Sequence, residues 1–235
     1  MKKHVPNLIT SLNLLSGSLS AVLAFSDLEL AAWLVVLALL FDFLDGLAAR
    51  LLKADSQIGK QLDSLADVIS FGLAPAIILY MVFLQSWNLP DIRLGYLYLL
   101  PLITLFIPLF SALRLARFNI EGTSKDIFTG LPAPANALLL ISVPLILNYE
   151  GESSAIGNFL LNSYILGGLV IISCFLLVSR IKMLSLKFKN LKWRSNELRF
   201  MFLIIAIALF ILFKFIAIPM IMILYIIISI LFIRK

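Results

Sequence analysis

The sequence predicts an all-α, polytopic transmembrane helix bundle. Three observations lead to this prediction: hydrophobic residues make up 62% of the chain, charged residues make up only 14%, and the apolar residues gather in long runs. A soluble domain carries about 25% charged residues, because its surface must be polar. A chain of 235 residues with this composition cannot cover a globular surface with polar groups, so we expect a domain that lies in the membrane.

The apolar runs predict about eight membrane-spanning helices. A spanning helix needs about 20 mainly apolar residues. The last two runs are separated only by Lys214 and Phe215, which predicts either a tight hairpin or one broken element. If that hairpin does not span, the count falls to six. The predicted spans are residues 8–26, 30–51, 61–84, 95–117, 131–148, 159–178, 199–213 and 216–233.

The positions of the lysines and arginines predict the orientation, because these residues are retained on the cytoplasmic side of a membrane. With the N-terminus inside, only Arg93 and Lys214 fall outside. Both termini are therefore predicted to be cytoplasmic, in a protein of the cytoplasmic (inner) membrane. The net charge of +6 reflects this orientation and an attraction to anionic headgroups. It does not indicate binding to nucleic acid.

A basic segment from Arg180 to Arg199, with interleaved Leu, Phe and Trp, follows the sixth predicted span. Two interpretations of it stay open: an amphipathic stretch that lies on the membrane surface and gathers anionic lipid, or an ordinary positively charged loop. We expect a domain boundary at its start. Residues 1–178 then form the membrane domain, and residues 179–235 form a basic cytoplasmic loop and a C-terminal helical hairpin.

Four aspartates lie at the predicted cytoplasmic ends of the second and third spans, where ionised groups are costly and usually functional. Asp42 and Asp45 are three residues apart and share one helix face. Asp63 and Asp67 continue a stripe that begins at Gly59, with one member every fourth residue. A short loop makes the two helices antiparallel neighbours, so we expect the four carboxylates to converge at the inner membrane boundary.

This arrangement predicts a site for divalent cations. Four anions at close range repel one another unless cations join them, and carboxylate oxygens suit Mg²⁺ or Mn²⁺. Two such ions can clamp the attacking and leaving oxygens of a phosphoryl group. Gly46 and Gly59 remove side chains where a phosphorylated ligand must approach the backbone, and Arg50 offers a planar fork for phosphate oxygens.

The aspartates, the glycines and the arginine stand at fixed offsets. Their pattern is Asp42-x-x-Asp45-Gly46-x-x-Ala49-Arg50, then eight residues, then Gly59-x-x-x-Asp63-x-x-x-Asp67. This pattern resembles the signature of the CDP-alcohol phosphatidyltransferases at every fixed position, and the resemblance covers roughly the first six spans. It implies an all-helical membrane enzyme, usually a homodimer, that moves a phosphatidyl group from a CDP-linked lipid to an alcohol and releases CMP.

The resemblance also implies roles for individual residues. Asp42 and Asp63 would bridge two divalent cations, Mg²⁺ or Mn²⁺, and Asp45 would bind the first of them. Asp67 would bind the second cation and act as the catalytic base. The early segment PNLIT resembles a nucleotide-contacting segment of the family. The residues expected at the CDP-lipid site are Pro6, Asn7, Thr10, Gly46, Ala49, Arg50, Ser56 and Gly59.

The segment from Ser111 to Asn136 bears on the acceptor alcohol. Arg114 and Arg117 share a helix face at the predicted cytoplasmic end of the fourth span, where an arginine can hold a carboxylate through two parallel hydrogen bonds. The other interpretation is that both arginines only anchor this helix end. The strings RLARFN and GLPAPAN resemble the integral-membrane phosphatidylserine synthase branch of the family. That resemblance implies L-serine as the acceptor. We expect Arg114, Arg117 and Asn119 to bind it, with the alternative open that Asn119 only marks the end of a helix.

Two alternatives stay open at this point. The first is the same chemistry with glycerol 3-phosphate or an inositol compound, for which Arg114, Arg117 and Lys125 would supply positive charge. The second is a divalent-cation transporter, which would place carboxylates near the bilayer midplane on broken helices, whereas these carboxylates lie toward one interface. The expected partners are CDP-diacylglycerol, L-serine, membrane lipids and a second copy of the chain.

Overall fold

The structure of the protein is a computed structural model that describes residues 4–54, 56–121, 127–184 and 196–232. Helices dominate, as the composition predicts, and the short strands form two antiparallel pairs: β1 (Arg93–Leu94) with β2 (Leu97–Tyr98), and β3 (Ile127–Thr129) with β4 (Lys182–Leu184). The helices are α1 (His4–Leu23), α2 (Leu28–Leu52), α3 (Gln57–Asp67), α4 (Ala74–Leu84), α5 (Phe106–Glu121), α6 (Ala133–Glu150), α7 (Ala155–Leu160), α8 (Ser163–Val178), α9 (Glu197–Phe213) and α10 (Ala217–Phe232).

Among the described residues, five helical stretches are long and apolar enough to cross a membrane. They confirm an all-α, polytopic architecture. Helix α8 is also apolar but shorter, and α1 has a buried face rich in polar side chains. The number of spans and the cytoplasmic position of both termini therefore stay predictions. The five stretches are Leu28–Leu52, Gln57–Leu84, Leu100–Ile120, Ala133–Glu150 and Glu197–Leu231. The last of them is divided into α9 and α10 by a turn at Lys214.

The third predicted span is one continuous helical stretch in which a π-helical segment, Val68–Leu73, joins α3 to α4. The N–H of Ala74 donates to the carbonyl of Ile69 across this wider turn. Pro75 follows directly; a proline has no N–H, and in a regular α-helix its ring clashes with the carbonyl four residues earlier. The π turn accommodates that proline, and it begins immediately after Asp67, a position typical of functional sites.

Helix α1 packs closely against both α2 and the π segment because small residues line the contacts. Ala21 of α1 and Ala31 of α2 are buried in the same core cluster; small side chains let helix backbones approach in a membrane. At Gly17 an added Cβ would lie 2.2 Å from Ser70 Oγ and 2.5 Å from Ser70 Cα. Only glycine fits there, and this close approach fixes α3 beside α1.

Helices α9 and α10 fold back on each other as a hairpin. The rings of Phe202 and Tyr225 lie 5.9 Å apart, whereas residues that far apart in one straight helix would be separated by roughly 35 Å. The turn is at Lys214, which has φ 49° and ψ −122°, and the Lys214 ammonium group contacts Tyr149 at the end of α6. Of the two predicted forms, the hairpin is confirmed over the single broken element.

The β3–β4 pair connects this hairpin to the rest of the bundle. Gly130, with φ +76°, precedes α6, and an added Cβ there would lie 2.5 Å from the Leu177 carbonyl oxygen. Met183 of β4 joins Phe202 and Tyr225 in one buried cluster. Most of the basic segment, residues 185–195, and Lys125 lie outside the described residues, so both interpretations of that segment stay open.

Candidate active site

A cavity of about 650 Å³ lies where α2 ends and α3 begins, at the predicted cytoplasmic end of the bundle. Side chains from α1, α2, α3 and α5 form its wall. It contains most of the residues predicted for the CDP-lipid site, which come from two distant stretches of sequence. The lining residues are Pro6, Asn7, Thr10, Asp45, Gly46, Ala49, Ala54, Ser56, Gln57, Gly59, Lys60, Asp63, Ser64, Asp67, Leu115, Phe118 and Asn119.

Three of the four predicted metal ligands converge. Asp42, Asp63 and Asp67 each offer one carboxylate oxygen, and these oxygens all lie within 4.8 Å of one another. Asp42 comes from α2, whereas Asp63 and Asp67 come from successive turns of α3. The helical spacing puts each carboxylate on the inner face of its own helix, and the antiparallel contact of α2 and α3 brings the two faces together.

Asp45, the fourth predicted ligand, is buried one turn away from Asp42 and is held by α1. The Thr10 hydroxyl donates to Asp45 Oδ2 at 2.6 Å. Asp45 still lies close enough to Asp63 for their carboxylates to repel electrostatically. The structure therefore brings all four carboxylates into one site, but it places Asp45 beside the cluster of three.

The start of α3 is shaped by three predicted site residues. Ser56 is the N-cap, and its Oγ accepts a hydrogen bond from the Gly59 N–H at 3.0 Å. An added Cβ at Gly59 would lie 2.8 Å from Asn7 Oδ1, so this glycine makes room for Asn7 as well as for a ligand. Gly46 has no atom within 4 Å of its added Cβ among the described residues, and its surface faces the cavity.

The cations near the cavity differ in their surroundings. Arg50 is exposed, and its Nε donates to the Gly46 carbonyl at 2.9 Å along its own helix. Lys60 precedes the predicted span 61–84, but in the structure it belongs to the first turn of α3 and lines the cavity. The Ser56 cap starts α3 earlier than the predicted span, because an N-cap serine satisfies the first free N–H groups of a helix.

The two arginines of α5 point in different directions. Arg114 lies near enough to Asp67 for a favourable electrostatic interaction, and its buried Nε has no hydrogen-bond partner among the described residues. Arg117 instead donates from Nη1 to the Val178 carbonyl at 3.2 Å, at the C-terminal end of α8, where free carbonyls favour a cation. Of the two arginines expected at the acceptor site, Arg114 therefore interacts with an aspartate of the cluster and Arg117 contacts α8, while their role in binding the acceptor stays a prediction.

Asn119 lines the cavity, and its Nδ2 donates to Ser64 Oγ at 2.8 Å. This bond joins α5 to the aspartate helix. Sequence reasoning missed Ser64, although its place next to Asp63 on α3 was a signal. It also missed Leu115 and Phe118, whose positions in the cavity wall depend on the packing of α5 against α3.

The carboxylate cluster fits divalent cations. Asp67 Oδ1 is buried and has no hydrogen-bond partner in the described part of the chain, and a buried anionic oxygen is costly unless it is paired or coordinated. The donor set is made of carboxylate oxygens alone, which is the chemistry that Mg²⁺ and Mn²⁺ prefer. Asp42, Asp63 and Asp67 are thus suited to hold a cation, with Asp45 adjacent.

Comparison with known proteins agrees with this geometry. The family model described as CDP-alcohol phosphatidyltransferase matches residues 3–178. The match includes α1 to α8, and therefore every aspartate of the cluster and the whole wall of the cavity.

Named relatives are similar over most of the chain. The CDP-diacylglycerol–serine O-phosphatidyltransferase of Helicobacter pylori (strain J99) is 36% identical over 195 residues, covering 80% of this chain and 74% of that protein. The protein of the same name from Mycobacterium tuberculosis (strain H37Rv) is 32% identical, covering 76% of this chain and 60% of that protein. The archaetidylserine synthase of Methanothermobacter thermautotrophicus is 40% identical, covering 64% of this chain and 62% of that protein.

Proposed function

Since the chain belongs to the CDP-alcohol phosphatidyltransferase family, we propose that it transfers the phosphatidyl group of CDP-diacylglycerol to the hydroxyl of L-serine. The products are phosphatidylserine and CMP. The observation that supports this most strongly is the cluster of Asp42, Asp63 and Asp67 within 4.8 Å beside a cavity of about 650 Å³. The names of the similar proteins, which act on serine, favour this acceptor.

Asp42, Asp63, Asp67 and Asp45 would hold two divalent cations. When bound, such ions neutralise the charge that develops on the diphosphate as CMP leaves. Thr10 keeps Asp45 in place through its hydrogen bond, so the acidic site depends on α1 as well as on α2 and α3. Arg50, at the end of α2, is free to rotate toward a phosphate because its only hydrogen bond among the described residues is to its own helix.

The chemical step needs a base for the acceptor hydroxyl, because an alcohol is a weak nucleophile at neutral pH. Asp67 is proposed to take the serine proton. The serine oxygen then forms a bond to the phosphatidyl phosphorus as the bond from that phosphorus to the CMP oxygen breaks, and CMP leaves with the electron pair. The burial of Asp67 separates the proton that it removes from bulk water.

The two substrates would approach from different sides of the cavity. The nucleotide end of CDP-diacylglycerol would contact the α1 and α2 side, near Asn7 and Gly46, with Ser56 and Lys60 at the start of α3. The acceptor would lie on the α5 side, near Arg114 and Asn119. This division follows from the lining of the cavity and from the proximity of Arg114 to Asp67. We place this site at the cytoplasmic face of the inner membrane, in an expected homodimer.

The direct test uses purified protein with CDP-diacylglycerol and each acceptor in turn, with the lipid product identified by mass. We expect phosphatidylserine with L-serine, and stoichiometric CMP. A product with glycerol 3-phosphate or with an inositol compound, and none with serine, would retain the family chemistry and overturn the proposed acceptor.

Arg114 should matter for serine more than for the lipid. We expect Arg114→Ala to raise the KM for serine roughly 10- to 100-fold with little change for CDP-diacylglycerol, because a hydrogen bond to a charged group contributes about 1.5–3 kcal/mol. Arg114→Lys keeps the charge but loses the planar fork, so it should restore only part of the affinity. Initial rates with each substrate varied separately give both KM values.

Arg117→Ala is the matched comparison, since it removes the same side chain one turn along α5. Its bond to the Val178 carbonyl predicts lower thermal stability and no selective effect on serine. If Arg114→Ala raised both KM values equally, Arg114 would be a packing residue and not an acceptor ligand.

A further inference from the structure

Asn13 is a buried polar residue of α1 that the proposed reaction does not use. Its side chain is fully buried, and neither Nδ2 nor Oδ1 has a hydrogen-bond partner among the described residues. Buried amides in folded proteins are nearly always paired, through protein groups or through ordered water. An amide with two unpaired atoms inside a membrane bundle therefore requires an explanation.

The contacts of α1 place Asn13 at the level of the aspartate cluster. Against α2, Thr10 bonds to Asp45 and Ser20 bonds to Ala31, so the two helices are antiparallel. In this antiparallel pair, the residue one turn after Thr10 in α1 is therefore level with the residue one turn before Asp45 in α2. The Asn13 side chain, on the same buried face as Thr10, is level with Asp42.

The contacts of α1 with α3 and with the π segment after it also indicate where the Asn13 side chain lies. Asn7 lies against Gly59 and Gly17 lies against Ser70, so α1 and α3 run in parallel. The Ser70 hydroxyl, one turn after Asp67, donates to the Asn13 backbone carbonyl at 3.0 Å. This register puts the Asn13 side chain level with Asp67, whose Oδ1 is also buried and unpaired within the described residues.

We propose that Asn13 is a positioning residue of the aspartate cluster, which holds the Asp67 carboxylate through a buried water. The Asn13 Nδ2 donates to this water, and the water donates to one lone pair of Asp67 Oδ1, so the carboxylate keeps lone pairs for a cation. Two buried, complementary groups at one level that make no direct hydrogen bond to each other are the setting in which a bridging water is expected. The water orients the carboxylate for the cation, as outer partners of metal ligands do.

This inference rests on the proposed metal site, and it can be tested without catalysis. Mn²⁺ is added to the full-length protein in detergent, without substrates, and bound Mn²⁺ is measured by electron paramagnetic resonance. Thermal unfolding is measured on the same samples. Asn13→Leu keeps a similar volume and removes both polar atoms, while the Ser70 bond to the backbone carbonyl is retained.

We expect Asn13→Leu to weaken Mn²⁺ binding about 10- to 100-fold, the range known for outer partners of metal ligands, with thermal stability equal to the wild type or higher. Stability is not expected to fall, because leucine fills a similar volume and has no polar atom that needs a partner. Asn13→Ala leaves room for another water, so it should weaken Mn²⁺ binding less than Asn13→Leu does. If Asn13→Leu does not fold, Asn13→Ala still provides the Mn²⁺ binding measurement.

Asn136→Leu is the matched control, because Asn136 is another fully buried asparagine with an unpaired Nδ2 within the described residues. Its Oδ1 accepts from Ser173 at 2.8 Å, so this variant should lose stability and keep the Mn²⁺ affinity of the wild type.

Wild-type Mn²⁺ affinity in both Asn13 variants would overturn the role of Asn13 and leave the metal site intact. Absence of Mn²⁺ binding in the wild type itself would overturn the metal site and this inference together.

Discussion

Asp67→Asn is expected to lower kcat by roughly 10²- to 10⁴-fold, the usual contribution of a general base, while CDP-diacylglycerol still binds. Asparagine has nearly the same size and shape as aspartate but cannot accept the serine proton. The side of the cavity proposed for the nucleotide is lined by residues of α1 and α2 and by the start of α3, so binding of the lipid should persist. CMP release gives the rate, and equilibrium binding of CDP-diacylglycerol gives the affinity.

Asp27→Asn is the matched control for this substitution. Asp27 is the N-cap of α2, at the opposite end of that helix from the site, and it accepts a hydrogen bond from the Leu30 N–H at 2.9 Å. Asparagine caps a helix about as well as aspartate, so stability and rate should stay close to those of the wild type. Near-normal CMP release from Asp67→Asn would remove Asp67 as the base.

Removal of divalent cations is expected to abolish transfer. Chelation should reduce phosphatidylserine formation to background, and addition of Mg²⁺ or Mn²⁺ should restore it, because carboxylates at this spacing are suited to hold the ions that neutralise the leaving diphosphate. Lipid synthesis is measured by mass before chelation, after it, and after each ion is added back. Transfer that continued at the original rate after complete chelation would contradict a role for cations.

The family match already disfavours the transporter alternative, and a transport assay tests it directly. In sealed liposomes, the enzyme should form phosphatidylserine without carrying Mn²⁺ across the membrane. Asp63→Asn should lose both Mn²⁺ binding and lipid synthesis, since Asp63 contributes one of the clustered oxygens.

The fold class and the acidic site followed from local patterns. The spacing of Asp63 and Asp67 puts them on one face whatever surrounds the helix, and the cluster of Asp42, Asp63 and Asp67 agrees with that expectation. The limits of the helices were harder to predict. Ser56 extends α3 toward its N-terminus, and Pro75 is accommodated by a π turn, because capping and proline strain are resolved by backbone hydrogen bonds over a few residues.

The partners of the two arginines on the acceptor side of the site could not be predicted from the sequence. Arg114 and Arg117 are close on one helix, yet Arg114 interacts electrostatically with Asp67 while Arg117 bonds to the end of α8. The partner of each arginine depends on which helix packs against its side of α5. The Thr10–Asp45 bond and the burial of Asn13 likewise depend on the register of α1 against two other helices.

The sequence alone determined the membrane class, the helical faces and which aspartates form the acidic site, because composition and helical periodicity are properties of a single segment. Only the tertiary structure decided which arginine approaches the aspartates, that the last two helices fold back on each other, and that Asn13 lies level with Asp67. These features arise from contacts between segments far apart in the chain, and close packing of small residues such as Gly17 against Ser70 sets them.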